Sequence, residues 1–297
     1  MLNFLPHPVT GTLSLLLYIA NTLFWFVPIM LLALLKLPPI TRWQSWMTYL
    51  LDACAVAWIS VNNFTTRLFM RIHWQVSGLE KLSLKDWYLV LANHQSWADI
   101  LVLQNVFNRK IPFIKFFLKK ELIYVPFLGL CWWALDFPFM KRYSKAFLQR
   151  NPHLHGKDIE TTRNACRKFA FKPAAIMNFV EGTRYTPQKH QQQQSPYASL
   201  LKPKAGGAAF VLGAMGEQLH KILDITIYYP NGTPSFWDYI SGKVRDITVQ
   251  ITIIPITPEL LGDYNDSQYR ERFQQWINQL WRHKDQQLQE LKQGVRR

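Results

Sequence analysis

Residues 11–35 contain no charged side chain. As a helix this run would be roughly 37 Å long, enough to cross about 30 Å of hydrocarbon with some tilt. Few soluble cores accommodate an apolar helix of that length, so the run predicts a retained membrane anchor. It does not resemble a cleaved signal peptide, because the first ten residues hold no Lys or Arg and the apolar stretch exceeds an h-region. Pro28 interrupts it and predicts a kink. A second apolar stretch, Trp46 to Val61, carries Asp52 and is shorter. The linker between the two holds Lys36 and Arg42, and the chain after Arg67 is basic. Two full crossings would place one basic flank outside, against the positive-inside tendency. One crossing plus an interfacial helix, or two helices dipping into one leaflet, both keep the rest of the chain cytoplasmic.

Charge narrows the partners. Against 34 Lys and Arg stand 19 Asp and Glu, a net of +15, so an anionic partner is expected: a membrane surface, a phosphorylated substrate or nucleic acid. Hydrophobic residues make up 49% of the chain, which excludes intrinsic disorder. Twelve tryptophans favour the membrane, since indole rings prefer the headgroup interface. Cys54, Cys131 and Cys166 are too scattered for a disulfide framework or a zinc site.

Beyond Trp74 short apolar runs alternate with helical segments: WYLVLA (87–92), AAIMNFV (174–180), ILDITIYYP (222–230) and DITVQITIIP (246–255). ADILVLQNVF closely follows the first. The pattern predicts an α/β domain with a mixed or mostly parallel sheet flanked by helices. HQQQQSP (190–196) and RNPHLHGKD (150–158) read as surface loops, the first mobile and near the site, the second with His153 and His155 solvated. Gln268 to Gln293 reads as a helix with Phe273, Trp276, Ile277, Leu280 and Trp281 on one face, docked on the domain or lying on a membrane surface. The divisions are therefore 1–73 for the anchoring helices, 74–260 for the α/β domain and 261–297 for the C-terminal helix.

The segment richest in chemistry is Asn93-His94-Gln95-Ser96-Trp97-Ala98-Asp99. On a continuous helix, His94 and Asp99 would sit about 140° apart and could not meet. If His94 occupies a strand-to-helix turn, its imidazole can fold back onto Asp99. A carboxylate on one ring nitrogen leaves the other free to accept a proton from an alcohol. The same residues also fit a helix start, with Ser96 as cap and Asp99 near the positive end of the dipole. A second turn, Val180-Glu181-Gly182-Thr183-Arg184, follows another apolar run, with Arg184 suited to bidentate phosphate contact. Met140-Lys141-Arg142 and Pro203-Lys204-Ala205-Gly206-Gly207 add cations beside apolar segments. Such pairing suits a substrate with a phosphate head and a fatty tail.

In this order NHQSWAD, FMKR, VEGTR and PKAGG resemble the four-motif signature of the 1-acylglycerol-3-phosphate acyltransferase (PlsC-type) superfamily, over about residues 75–255. WALDFPFMKRYS and NFVEGTR are similar to the bacterial YihG-type branch. The first motif is complete, whereas Val180 stands where many members carry Pro. The resemblance implies a glycerolipid acyltransferase-like fold and transfer of an acyl group from acyl-CoA or acyl-ACP to the sn-2 hydroxyl of lysophosphatidic acid, giving phosphatidic acid without an acyl-enzyme. It implies His94 as general base oriented by Asp99, and Arg142, Arg184 and Lys204 as holders of the acceptor phosphate. Asn93, Ser96, Glu181, Gly182 and Thr183 would support the motifs. Acyl-CoA or acyl-ACP would serve as co-substrate, with no metal and no further cofactor. The expected partners are a lysophospholipid, the acyl donor and a phospholipid membrane, the bacterial inner membrane, with the catalytic domain facing the cytoplasm. Two other readings stay open: acylation of a lysocardiolipin- or lysophosphatidylglycerol-type acceptor, and a non-catalytic basic protein binding membrane or nucleic acid.

Overall fold

Residues 4–140, 172–264 and 266–294 are described by the computed structural model; Arg142, Cys166, His153 and His155 lie outside them. The long N-terminal run forms helix α1 (His7–Leu35), which continues through Pro28. The second apolar stretch is part of a longer helix, α2 (Thr41–Phe69), than its hydropathy implied. Asp52 does not interrupt it, because its carboxylate is paired with Lys172 and lies 3.5 Å from the Lys115 ammonium. A charge neutralised in this way can occupy the inner face of an otherwise apolar helix.

Helices α1 and α2 pack as a hairpin held by polar side chains on its inner seam. Asn21 Nδ2 donates to Asn62 Oδ1 (2.8 Å) and to the Trp58 carbonyl (2.9 Å). Tyr18 and Thr66 share a hydroxyl hydrogen bond of 3.0 Å, and Trp58 Nε1 donates to Thr22 Oγ1. Leu16, Phe24, Val27 and Leu31 of α1, with Trp46 and Phe64 of α2, stay exposed on the outer face. Helix α1 is long and apolar enough to cross a membrane.

The sheet elements are β1 (His73–Ser77), β2 (Tyr88–Ala92), β3 (Ile114–Phe116), β4 (Leu118–Lys119), β5 (Phe139–Met140), β6 (Ala175–Phe179), β7 (Lys221–Tyr228) and β8 (Asp246–Pro255). Six of them form a mixed sheet in the order β1-β8-β7-β2-β6-β3, while β4 and β5 pair separately. β7, β2, β6 and β3 run parallel; β8 is antiparallel to β7, and β1 pairs parallel with β8. Every residue of β2 is buried, which explains why its sequence is an unbroken apolar run rather than an alternation.

Helices α3 (Ala98–Phe107) and α4 (Leu128–Ala134) follow β2 and β4. Later come α5 (Pro187–Gln193), α6 (Ala205–Met215), α7 (Phe236–Ile240) and α8 (Ser267–Gly294). The two-residue period of β2 divides the core between the two faces of the sheet. Tyr88, Val90 and Ala92 pack with Val102, Leu103 and Val106 of α3. Leu89 and Leu91 pack with Ala208 and Leu212 of α6 and with Phe273, Ile277 and Trp281 of α8. Each of these leucines contributes roughly 1.5–3 kcal/mol by burial. The apolar face read in the C-terminal segment therefore packs on the sheet. Its grip includes the buried Lys284, whose ammonium lies 2.8 Å from Asp224 and donates to the Ile225 carbonyl.

The polar stretch expected as a mobile loop is largely helix α5. Thr186 caps it by accepting from the Lys189 amide, Pro187 occupies the first turn, and Gln194 ends it in the left-handed region. The glutamines between are good helix formers. The hairpin, for its part, lies along the domain. At one end His7 Nδ1 is 2.9 Å from the Ser241 carbonyl, and near the other end Lys36 is paired with Asp136. Between them Ile29, Ala33, Leu51 and Ala55 pack with Cys131, Ala134, Leu135 and Phe137.

Candidate active site

Because β2 and β6 are adjacent and parallel, the chain leaves both at the same edge of the sheet, where open α/β sheets place ligands. Asn93 and His94 leave β2 there, and Val180 and Glu181 leave β6. Asn93 is fully buried and spans to β7: its Nδ2 donates to the Ile227 carbonyl, and its Oδ1 accepts from the Ile227 amide, each at 2.9 Å. The side chain thus ties the end of β2 to β7 and fixes where His94 begins. Glu181 secures the next residue, accepting from the His94 amide at Oε1 and from the Leu201 amide at Oε2, both at 3.0 Å. Burial pushes the Glu181 carboxyl up to about 7, against the pull of these two amides.

Asp99 carries both roles that the sequence left open. Its Oδ2 accepts from the Gln95 and Ser96 amides at 2.7 and 2.9 Å, fixing the turn into α3. The same oxygen lies 2.9 Å from His94 Nδ1. A carboxylate can only accept, so Nδ1 carries the proton, and in the neutral ring Nε2 is the basic nitrogen. Nε2 has no hydrogen-bond partner among the described residues. The ring stacks on Phe179, centroids 3.9 Å apart and planes 15° from parallel, which restricts its rotation. Ser96 Oγ accepts from the Ala98 amide and donates to the Pro234 carbonyl, joining this turn to the loop before α7.

The second turn comes alongside. Gly182 has φ +68, in the region that glycine adopts without strain, and a Cβ there would lie 3.4 Å from Lys204 Nζ. The Lys204 amide donates to the Val180 carbonyl at 2.8 Å, so its ammonium is carried to the Gly182 turn. The Arg184 guanidinium lies over the exposed Trp97 ring, 4.6 Å from its centroid. A cation held in this way keeps its in-plane N–H groups available for an anion. Thr183 Oγ1 accepts from Lys189 Nζ at 2.8 Å, and the same ammonium donates to the Arg184 carbonyl. Helix α5 therefore braces the turn. The remaining cation expected here, Arg142, is outside the described residues.

Between the hairpin, α3 and α4 lies an apolar cavity of about 250 Å³ that reaches His94 and Phe179. Its wall includes Trp25 and Ile29 of α1, Ala55 of α2, and Cys131 and Leu135. A cavity so lined, with the imidazole as its polar terminus, suits an alkyl chain whose reacting end stops at Nε2.

Several contributors are not among the residues singled out in the sequence. Tyr229 donates its hydroxyl to Asp99 Oδ1 at 2.6 Å, from the end of a run readable only as strand. Burial and the Asp99 charge hold that phenol well above its usual range, so it remains a donor. Its position just past an apolar strand, like that of Asn93 and His94 past β2, is the one signal that could have marked it. Tyr229→Phe is expected to lower kcat about tenfold with KM nearly unchanged, as one hydrogen bond to a charged group, worth about 1.5–3 kcal/mol, is lost. Steady-state kinetics of the variant against the parent checks this.

A family model described as Acyltransferase matches residues 73–236. The chain is 27% identical over 223 residues to the 1-acyl-sn-glycerol-3-phosphate acyltransferase of Pseudomonas aeruginosa, covering 75% of this chain and 74% of that protein. It is 24% identical over 220 residues to the human 1-acyl-sn-glycerol-3-phosphate acyltransferase gamma, covering 70% of this chain and 54% of that protein. The chain thus spans about half the length of the mammalian relatives it matches. Among solved structures, the 1-acyl-sn-glycerophosphate (LPA) acyltransferase PlsC from Thermotoga maritima is similar with a TM-score of 0.51 and 14% identity, over 95% of this chain and 98% of that one. That likeness is one of fold.

Proposed function

The chain belongs to the acyltransferase family, and from that premise we propose that it moves a fatty acyl group from a thioester donor, acyl-CoA or acyl-ACP, to the sn-2 hydroxyl of lysophosphatidic acid. The observation that carries this reading is the placement of His94: Nδ1 is held by a buried carboxylate, and the ring stands at the end of an apolar cavity. Nε2 takes the proton of the acceptor hydroxyl as its oxygen attacks the thioester carbonyl. The tetrahedral adduct collapses with cleavage of the C–S bond, and the departing thiolate recovers the proton from Nε2. Phosphatidic acid and the free thiol leave, and the protein returns unchanged.

Arg184 and Lys204, gathered at the Gly182 turn, bind the acceptor phosphate in this scheme. The acyl chain lies in the cavity, where burial of each methylene contributes about 0.8 kcal/mol. The exposed apolar faces of α1 and α2 sit in the lipid that holds both acceptor and product. Because the opposite face of the hairpin lies along the domain, a hairpin seated in one leaflet fits better than one standing across the bilayer. In a bacterial cell this is the cytoplasmic leaflet of the inner membrane, on the side of the acyl donors.

The test uses purified protein, oleoyl-CoA and lysophosphatidic acid, with free thiol and phosphatidic acid measured together. Equal amounts of both are expected. Arg184→Ala is expected to raise the KM for lysophosphatidic acid at least tenfold, with a smaller effect on the KM for oleoyl-CoA. Thiol release without lipid product would refute acyl transfer to this acceptor. Faster turnover of another anionic lysophospholipid would move the assignment to that headgroup.

A further inference from the structure

Helix α3 carries the site at its first turn, and a separate cleft of about 410 Å³ lies at its other end, roughly 15 Å along the axis. It opens between the last turns of α2, the β1 region and the residues that leave α3. Arg67, Arg109 and Lys110 line it, and no acidic side chain does so among the described residues. The three cations make no ion pair among those residues.

Three further observations bear on what the cleft takes. Arg109 has φ +62, a left-handed conformation that Gly or Asn adopts more readily, so the backbone there is strained and carries a cation to the mouth of the cleft. Two amide atoms of the lining, Asn105 Nδ2 and Asn108 Oδ1, are buried with no hydrogen-bond partner among the described residues, so this end of α3 is polar beneath its cations. Phe64 is 63% exposed at the edge of the cleft, one helical turn before Arg67 on the same face of α2, and Trp74 lines the cleft beside them. An exposed apolar ring, then a cation one turn on, with an indole alongside, is the arrangement of a chain entering the headgroup layer from hydrocarbon.

We propose that this cleft is a second lipid site, distinct from the acceptor site, that holds the headgroup phosphate of an anionic bilayer phospholipid while its acyl chains lie against Phe64. Such a lipid is neither donor nor acceptor and sets how the domain sits on the leaflet. The proposal does not rest on the acyl-transfer reading, since it uses none of the residues of that site.

The test uses the full chain purified in a non-ionic detergent and titrated with dioleoyl-phosphatidylglycerol or dioleoyl-phosphatidylcholine, with bound lipid counted by native mass spectrometry. Saturable retention of phosphatidylglycerol is expected, with phosphatidylcholine at least tenfold weaker. In Arg67→Ala/Arg109→Ala/Lys110→Ala the anionic lipid is expected to bind on the order of a hundredfold more weakly, about fivefold for each cation. Arg67→Lys/Arg109→Lys/Lys110→Arg should restore binding, and unchanged melting of the alanine variant separates lost binding from lost fold. Arg184→Ala should retain the lipid, because it belongs to the other site. Equal retention of the two lipids, or undiminished phosphatidylglycerol binding in the triple alanine variant, would overturn the proposal. Complete displacement by millimolar inorganic phosphate would assign the cleft to a free phosphate instead.

Discussion

Alanine at His94 is expected to lower kcat by about a thousand- to ten-thousandfold while leaving the fold intact. The imidazole makes one hydrogen bond that fixes structure, through Nδ1 to Asp99, and its ring otherwise stacks on Phe179 at the edge of the cavity. Its loss therefore removes the base without disturbing the sheet, and thermal melting should shift by only a few degrees. Asp99→Asn should also slow turnover by a hundredfold or more, but for two reasons. Asp99 Oδ2 accepts from His94 Nδ1 and two amides, while Oδ1 accepts from Tyr229. An asparagine must turn its NH2 toward one of these sets of donors, so either the imidazole and both turn amides lose their acceptor together or the Tyr229 hydroxyl loses its own. Rates for thiol release and lipid product, measured with melting curves for both variants, separate the two effects. A His94→Ala enzyme within threefold of the parent would end the general-base assignment.

Glu181→Ala is expected to be the most damaging substitution for stability. It strands two amides, those of His94 and Leu201, which lose their carboxylate acceptor at about 1–3 kcal/mol each. Because one of those amides belongs to His94, kcat should fall even at temperatures where the variant remains folded. The ionisation of Glu181 adds a pH dependence of definite sign. Its folded-state pKa is pushed from 4.5 up to about 7, so between those values the folded protein keeps a proton that the unfolded chain has released. Stability from this group is therefore greatest toward pH 4.5 and declines as pH rises to about 7, by on the order of 3 kcal/mol at about 1.4 kcal/mol per pH unit. Denaturant titrations at pH 5 and pH 8 should show that decline in the parent and a flatter profile in Glu181→Gln. Parallel profiles in the two proteins would refute the buried, proton-holding carboxyl.

Much of the sheet was legible because the strands near its centre announce themselves. DITVQITIIP corresponds residue for residue to β8, and the runs read over 87–92 and 174–180 enclose β2 and β6. His94 and Asp99 were legible as a pair because a turn is the only local geometry that brings them together, and the turn forms. What escaped was set by distant partners. The sequence shows Asp52 as a charge that spoils an apolar run, since Lys115 and Lys172, which neutralise it, come from elsewhere in the chain. The glutamine run read as a loop because low complexity masks helix propensity, and its cap, Thr186, precedes the tract. Tyr229 reaches Asp99 across 130 positions, and no local pattern foretells that hydrogen bond.

The hold of α8 on the site has a consequence for how the protein comes into being. The His94 amide is held by Glu181, the other oxygen of Glu181 by Leu201, and the Leu201 carbonyl by Trp281 Nε1 at 3.1 Å. Asp285 fixes the same loop by accepting the Ala198 and Ser199 amides at 2.9 and 2.8 Å. These links bridge 87, 20 and 80 positions of sequence, so contacts made early in synthesis wait on residues made late. Translation proceeds at about 5–20 residues per second, and the segment from His94 to Trp281 takes on the order of ten seconds or more to emerge. During that interval the hairpin has already emerged while the His94 turn still lacks its support. On the acyl-transfer reading proposed above, a nascent chain of this kind meets lipid before it can turn over a thioester.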